Sequence, residues 1–445
     1  MTIQQFKDEP LSHYSYALVS DGKMAIIDPS RNPLPYYKYA EEQKAKIVAV
    51  FETHPHADFV SGHLQIHEQT GATIYISEKV GVDYPHEAFD EGQSVKIGKT
   101  TIVPLHTPGH SPDSLTFVAT EEAKTILFTG DTLFIGDVGR PDLRESAGNM
   151  KSKRIELAKE MYHTMQTKFN DLPDYAFVYP THGAGSLCGK NMSDAAASTL
   201  GEERRDNWAF KQQTEEEFVE EILKDQPIIP AYFGFNVDVN RKGAMNVQIT
   251  KSQVGLNLNV DEAEKGALIV DVRDEADFKK GHLPNSINIM ARGEEDKFET
   301  WLGAIVKPEE AFMLAVKSVG DIEEIMERVA KIGYEKQMKG ILTLSEDLPE
   351  TSDDFELSDF RKHTSKYTIV DIRNKSEVEE GKIFEEAIAI PLNELRERAD
   401  EIPAGKPVVV HCAGGYRSAA GSSILENKLG KEKIFDLSEA IKKFN

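Results

Sequence analysis

Cysteine is scarce in this 445-residue chain, with Cys188 and Cys412 the only two. Two thiols so far apart cannot form a disulfide framework, and they point to a reducing compartment. Long apolar runs are also missing: no stretch approaches the roughly 20 residues of a membrane span, and Met1 to Pro10 is too polar for a secretory leader. A soluble, cytoplasmic protein is therefore expected. Basic residues are outnumbered, 52 Lys and Arg against 75 Asp and Glu, for a formal net charge of −23. Such a field repels nucleic acid and anionic lipid, so neither is an expected partner. An anionic substrate would need a local basic pocket, for which Arg140, Arg144, Lys190 and Arg205 are the candidates. The length exceeds one ordinary core and implies about three domains.

Against these absences stands a recurrent pattern of histidine and aspartate. It comprises T-H-P-H-A-D at residues 53 to 58, P-G-H at 108 to 110, T-G-D-T at 129 to 132 and T-H-G at 181 to 183. Each follows a short apolar run that reads as a buried strand: Ile47 to Phe51, Thr101 to Leu105, Thr125 to Phe128 and Tyr175 to Tyr179. If these strands lie side by side, His54, His56, Asp58, His110, Asp131 and His182 emerge at one end of a sheet. There imidazoles and carboxylates converge on a metal. A single histidine at a strand end is usually just a hydrogen-bonded residue, but four repeats of one arrangement favour a catalytic metal.

In type, order and spacing these residues resemble the metallo-β-lactamase superfamily, whose signature is H-x-H-x-D-H followed by a distant His, Asp and His. The resemblance implies an αββα sandwich over about the first half of the chain. One position departs from it: binuclear members carry a histidine after the aspartate, and this chain has Phe59, which cannot coordinate. One metal per chain is expected rather than two. Within the superfamily the chain looks like the persulfide dioxygenases. That resemblance implies a single Fe(II) held by His54, His110 and Asp131, a two-histidine, one-carboxylate set that leaves room for substrate and O2. It places His56, Asp58 and His182 around them. Zinc on His54, His56 and His110 is the alternative. The segment G-D-V-G-R-P-D at 136 to 142 resembles the family's carrier-binding stretch, where Arg140 would offer its planar fork to a carboxylate or phosphate; the alternative is a surface arginine paired with Asp142. Cys188, in G-A-G-S-L-C-G-K, either faces the metal pocket and exchanges with a persulfide or is a small buried hydrophobe, the reading preferred here.

Thr214 opens a capping-box-like T-E-E-E, followed by an apolar helical pattern that P-I-I-P ends, so the first domain is expected to close near there. Beyond it, A-L-I-V-D-V-R-D at 267 to 274 and Y-T-I-V-D-I-R-N at 367 to 374 are similar buried-strand patterns ending in Asp and Arg, each continuing through alternating helix and strand. They resemble tandem rhodanese domains. In the second copy a strand from Pro407 to His411 leads to Cys412, then A-G-G-Y-R-S and a helix expected near Ala419. Such a loop turns backbone N–H groups toward a thiolate, persulfide or sulfur oxyanion, so Cys412 is the expected nucleophile. The resemblance implies a persulfide on Cys412, with Arg417 and Ser418 helping to bind the anion. This copy departs from the family in having Gly381 and Lys382 where Gly-His is usual. The first copy has lost the chemistry: its strand Ala311 to Val316 runs into Lys317, Ser318, Val319 and Gly320 with no cysteine. It reads as a scaffold. The acidic run 345 to 357 reads as an exposed linker.

The expected architecture is therefore α/β multidomain: a metallo-β-lactamase-like domain at 1–237, a cysteine-less rhodanese-like domain at 238–349 and a rhodanese domain at 350–445. The whole resembles bacterial persulfide dioxygenase–rhodanese fusions. The resemblance implies oxidation of a thiol persulfide (glutathione, coenzyme A or bacillithiol type) by O2 to sulfite, then thiosulfate formation at Cys412, in a dimer or tetramer. A zinc thioester hydrolase of the hydroxyacylglutathione type and a non-catalytic persulfide carrier or sensor are the competing classes.

Overall fold

The computed structural model describes residues 1–143, 150–258, 266–345, 347–353, 355–430 and 432–444. Arg144 lies outside them. The chain divides into two compact units, Met1–Ile249 with Ala330–Gly333, and Thr250–Val329 with Tyr334–Asn445. Among the described residues, no helix is long and apolar enough to cross a membrane.

The first unit stacks two six-stranded sheets. One orders β1 (Thr2–Asp8), β2 (His13–Ser20), β3 (Lys23–Ile27), β4 (Lys46–Phe51), β5 (Thr73–Ile76) and β6 (Glu87–Ala88). The other comprises β7 (Val95–Ile97), β8 (Thr100–His106), β9 (Leu115–Glu121), β10 (Lys124–Gly130), β11 (Phe177–Pro180) and β12 (Ser198–Thr199), again adjacent in chain order. Strand alternation explains the layering. In β4, Ala49 and Phe51 face the other sheet and Val50 packs outward with Ile66 and Tyr36 of the flanking helices, joined by Ile47 because the register shifts between Ile47 and Ala49. In β10, Ile126 and Phe128 face inward, and Leu127 packs with Ala158, Met161 and Met165 of the helix Met150–Thr167. The result is the expected αββα sandwich.

The expectation of one shared sheet is corrected. β4 belongs to the first sheet, whereas β8, β10 and β11 belong to the second. All four are apolar on both faces, so their patterns do not say which sheet they join. The helix after Thr214 is Glu215–Leu223, with the reciprocal cap of Thr214 and Glu217 in place. The first unit does not stop there: the helix Tyr232–Lys242 runs across position 237, and Asn240 Nδ2 donates to the carbonyls of His56 (2.9 Å) and Phe59 (2.8 Å).

The second unit holds two parallel sheets. The five-stranded one contains β13 (Gly255–Leu258), β14 (Leu268–Asp271), β15 (Ser286–Asn288), β16 (Phe312–Val316) and β17 (Met338–Thr343), in the order β13-β17-β16-β14-β15. The four-stranded one contains β18 (Thr368–Asp371), β19 (Ile388–Ala389), β20 (Val408–His411) and β21 (Ile434–Asp436), in the order β19-β18-β20-β21. The repeated Asp-x-Arg signal is a clasp in both sheets. Arg273 Nη2 donates to Asp271 Oδ2 (2.7 Å) and to Gly281 O (2.8 Å). Arg373 Nη2 repeats this with Asp371 Oδ2 (2.7 Å) and Gly381 O (3.0 Å). Each clasp folds the following short helix, Glu275–Lys280 or Lys375–Glu380, back over its strand. The expected linker is partly pinned: Glu350 and His282 form an antiparallel bridge, and Leu348 packs on the core around Ile269 and Leu342.

Candidate metal centre and thiol loop

Three of the predicted residues gather into one cluster. His54 follows β4, His110 follows β8 and Asp131 follows β10, all are buried, and their donor atoms lie within 4.8 Å of one another. Asp131 Oδ2 is 3.7 Å from His54 Nε2 and 3.6 Å from His110 Nε2. Such separations suit three donors about 2.1 Å from one shared ion. The same carboxylate oxygen is buried and accepts no hydrogen bond, which is costly unless a cation faces it. The other ring nitrogens are occupied: His110 Nδ1 contacts Arg140 O (2.9 Å) and His54 Nδ1 contacts Thr53 Oγ1 (3.0 Å), leaving each Nε2 as the ligand atom. Gly130 makes the turn before Asp131 with φ +55°, and a Cβ there would lie 2.7 Å from Thr53 Oγ1. The donor set fits a metal.

His182 bridges this cluster to a second one. Its Nδ1 is 2.8 Å from Asp131 Oδ1 and its Nε2 2.8 Å from Asp58 Oδ2. Burial alone would raise the Asp131 carboxyl, but the imidazoles of His182, His54 and His110 outweigh it and hold the group well below the usual range. Burial would likewise lower His182, and the Asp131 and Asp58 carboxylates reverse this and hold its ring well above an ordinary histidine. Cys188 completes this group and is itself buried, and burial together with Asp58 and Asp131 pushes its thiol well up. That describes an inert thiol beside the metal pocket rather than a thiolate.

His56 takes a different direction. Its Nε2 faces Asp28 Oδ1 at 3.2 Å, and it clusters with Asp28 and Glu52 instead of with His54 and His110. Asp28 is the residue that sequence reasoning missed. It accepts from Thr53 N (2.8 Å), Thr53 Oγ1 (2.9 Å) and Thr181 Oγ1 (2.6 Å), tying together the loops that carry His54 and His182. A signal existed: I-I-D-P at 26 to 29 is another strand ending in an acid.

In the second unit, Cys412 is buried at the end of β20, and Gly415 N–H donates to its Sγ at 3.1 Å. Gly415 has φ +107° and starts the helix at Tyr416, three residues earlier than expected, because the glycine itself supplies the turn. Ser418 Oγ donates to Gly415 O (2.9 Å), so it braces the loop. The Arg417 fork pairs with Glu377, Nη1 to Oε2 at 2.6 Å and Nη2 to Oε1 at 2.7 Å.

Residues 8–182 match the metallo-beta-lactamase superfamily, and residues 256–336 and 356–445 match the rhodanese-like domain. A crystal structure of a metallo-beta-lactamase from Staphylococcus aureus superposes with a TM-score of 0.70 at 30% identity, covering 77% of this chain and 99% of that one. The chain belongs to the metallo-beta-lactamase superfamily. Among curated relatives of this superfamily member are a probable hydroxyacylglutathione hydrolase of Schizosaccharomyces pombe and the mitochondrial persulfide dioxygenase ETHE1 of Mus musculus. The first is 28% identical over 243 residues, 48% of this chain and 89% of its own length. The second is 27% identical over 164 residues, 37% of this chain, so the chain spans 57% of that relative.

Two features set this superfamily member apart from the sequence expectations or the binuclear pattern. Phe59 is buried and stacks on His56 with ring centroids 4.4 Å apart, so an apolar ring fills the position of the missing imidazole. Arg140 is not available to an anionic carrier: it is 1% exposed, its fork donates to Asp142 (2.6 and 2.8 Å), and Nη1 reaches the carbonyls of Leu187 and Ile228. A fully buried guanidinium needs this pairing, so its contribution is to hold the backbone carbonyl that orients His110. Lys190 is likewise committed to Glu221 and the Lys224 carbonyl, and Arg205 to Asp206. These described candidates do not assemble a basic pocket.

Proposed function

We propose that the chain is a non-haem iron persulfide dioxygenase, carried by the first unit, joined to a sulfurtransferase, carried by the second. The first reaction is RSSH + O2 + H2O → RSH + SO3²⁻ + 2 H⁺, with R a low-molecular-weight thiol carrier of the glutathione, coenzyme A or bacillithiol type. The second makes thiosulfate from that sulfite and another persulfide at Cys412. The net task is sulfide detoxification. The observation that carries this reading is the buried His54, His110 and Asp131 set, from which His56 is turned away toward Asp28. Two imidazoles and one carboxylate on one ion suit Fe(II). When bound, the iron supplies the one-electron chemistry that lets O2 react with a sulfur anion. The protein's own residues do the rest. Arg140 O and Thr53 Oγ1 aim the two imidazoles, and His182, held between Asp131 and Asp58, keeps a proton beside the three-donor set. Phe59 keeps a second ion's position apolar.

A thioester hydrolase is the second reading, favoured by the similarity to the probable hydroxyacylglutathione hydrolase. Anaerobic iron loading followed by oxygen-electrode assays with glutathione, coenzyme A and bacillithiol persulfides separates the two. Oxygen uptake matched by the sum of sulfite and thiosulfate is expected. No uptake, together with thioester hydrolysis by the zinc-loaded protein, overturns the dioxygenase.

A further inference from the structure

The cysteine-less copy reaches the thiol loop of its neighbour within the second unit. Tyr416 Oη donates to Met290 O (2.8 Å), Asn288 N–H donates to Ser423 Oγ (3.0 Å), and Asn427 Nδ2 donates to Ser286 O (2.8 Å). These three bonds lay the helix Tyr416–Leu429, which begins at the thiol loop, along β15 of the other copy. The same copy contributes Trp301, from the helix Phe298–Ile305, whose ring faces the Arg417 guanidinium at 5.8 Å from centroid to Cζ. Trp301 is 9% exposed, so little water competes for that face.

Arg417 is thus held on two sides by different copies. Glu377 takes both terminal nitrogens, and Trp301 covers the ring-like plane. A guanidinium has five N–H donors in a fixed fork, so those not facing Glu377 are turned in set directions once the plane is set. Glu377 is itself tethered, because its backbone carbonyl accepts from Arg373 Nη1 (3.2 Å), the arginine of the clasp.

We propose that Trp301 is a positioning residue of the sulfurtransferase: the cysteine-less copy fixes Arg417 beside Cys412 and so sets the affinity for the oxyanion acceptor, sulfite. This rests on the reading of Cys412 as a sulfur carrier. In that reaction the sulfite sulfur attacks the outer sulfur of the Cys412 persulfide, the S–S bond of thiosulfate forms, and the bond to Cys412 breaks with its electron pair leaving on Sγ. A dianion must approach an anionic persulfide, and a cation locked in one orientation lowers that barrier more than a mobile one. The copy that lost its nucleophile is retained as part of the wall of the working site.

The test uses the full-length protein and steady-state thiosulfate formation at varied sulfite. Trp301→Ala is expected to raise KM for sulfite about threefold to tenfold, the range for losing one cation–π contact. The persulfide mass on Cys412 and the persulfide-dependent oxygen uptake of the first unit should not change. Trp301→Phe, which keeps an aromatic face, should recover most of the loss. Trp301→Leu, which fills the same space without an aromatic face, should raise the same KM and decides the matter if Trp301→Ala does not fold. An unchanged KM for sulfite in variants that load persulfide overturns the inference. Failure of the unsubstituted protein to load persulfide on Cys412 overturns the transferase reading instead.

Discussion

The two rhodanese-like copies have the same frame and different strand ends. Both close an Asp-x-Arg clasp onto a glycine carbonyl eight residues after the arginine, with Nη2 to Oδ2 distances of 2.7 Å in each. Sheet register then aligns their neighbouring strands. Asp271 pairs with Ala315 and Asp371 with His411, so Val316 stands where Cys412 stands. After Cys412 the chain makes an open turn through two exposed residues to Gly415. After Val316 it closes down: Lys317 pairs with Asp277 at 2.7 Å, and Ser318 and Asp321 cap a single turn reciprocally. The comparison separates stability from chemistry. A buried ion pair cannot be lost cheaply once built, because the survivor is an uncompensated charge, whereas cysteine and valine can interchange at a well-packed strand end without stranding one.

Three experiments test that contrast. Cys412→Ser should lower thiosulfate formation on the order of a thousandfold while sulfite production continues, as judged by product analysis with a thiol persulfide. Continued enzymatic thiosulfate would mean that Cys412 does not divide the copies as argued. Next come the clasps. Asp271→Asn and Asp371→Asn should each destabilise the second unit by about 3 kcal/mol in denaturant titrations, since each strands a buried arginine. Only Asp371→Asn should also raise KM for sulfite, because Arg373 anchors the Glu377 that holds Arg417. Equal kinetic effects of the two substitutions would show that the copies are not distinct in this way. The smallest effect is expected from Val316→Cys in a Cys412→Ser background. A thiol restored at the aligned position should recover no transfer, because the capped turn after it offers no open loop. Thiosulfate formation by that double variant would place the lost chemistry in the residue alone.

Reading the chain locally went far. The side chains of the candidate metal centre, the apolar ring of Phe59 after Asp58, the cap at Thr214, the thiol of Cys412 and its absence from the other copy are all short-range signals. Strand period, turn residues and side-chain chemistry carry them without reference to distant positions. The limits fall where a residue's neighbour is far along the chain. Arg140 looked available because nothing nearby in sequence reveals that Leu187 and Ile228 close over it. The linker at 345 to 357 looked wholly exposed because its composition is polar, yet Leu348 and Glu350 are pinned by residues far upstream.

Local sequence sets which side chains stand at the ends of which strands, since period and turn chemistry are written within a few residues. Folding sets which of those side chains face one another. It put β4 in one sheet and β8, β10 and β11 in the other, turned His56 to Asp28, aligned Val316 with Cys412 and set Trp301 against Arg417. Such pairings come from close packing of surfaces whose apolar patterns are alike, so several arrangements satisfy the local code and only the complete fit selects one.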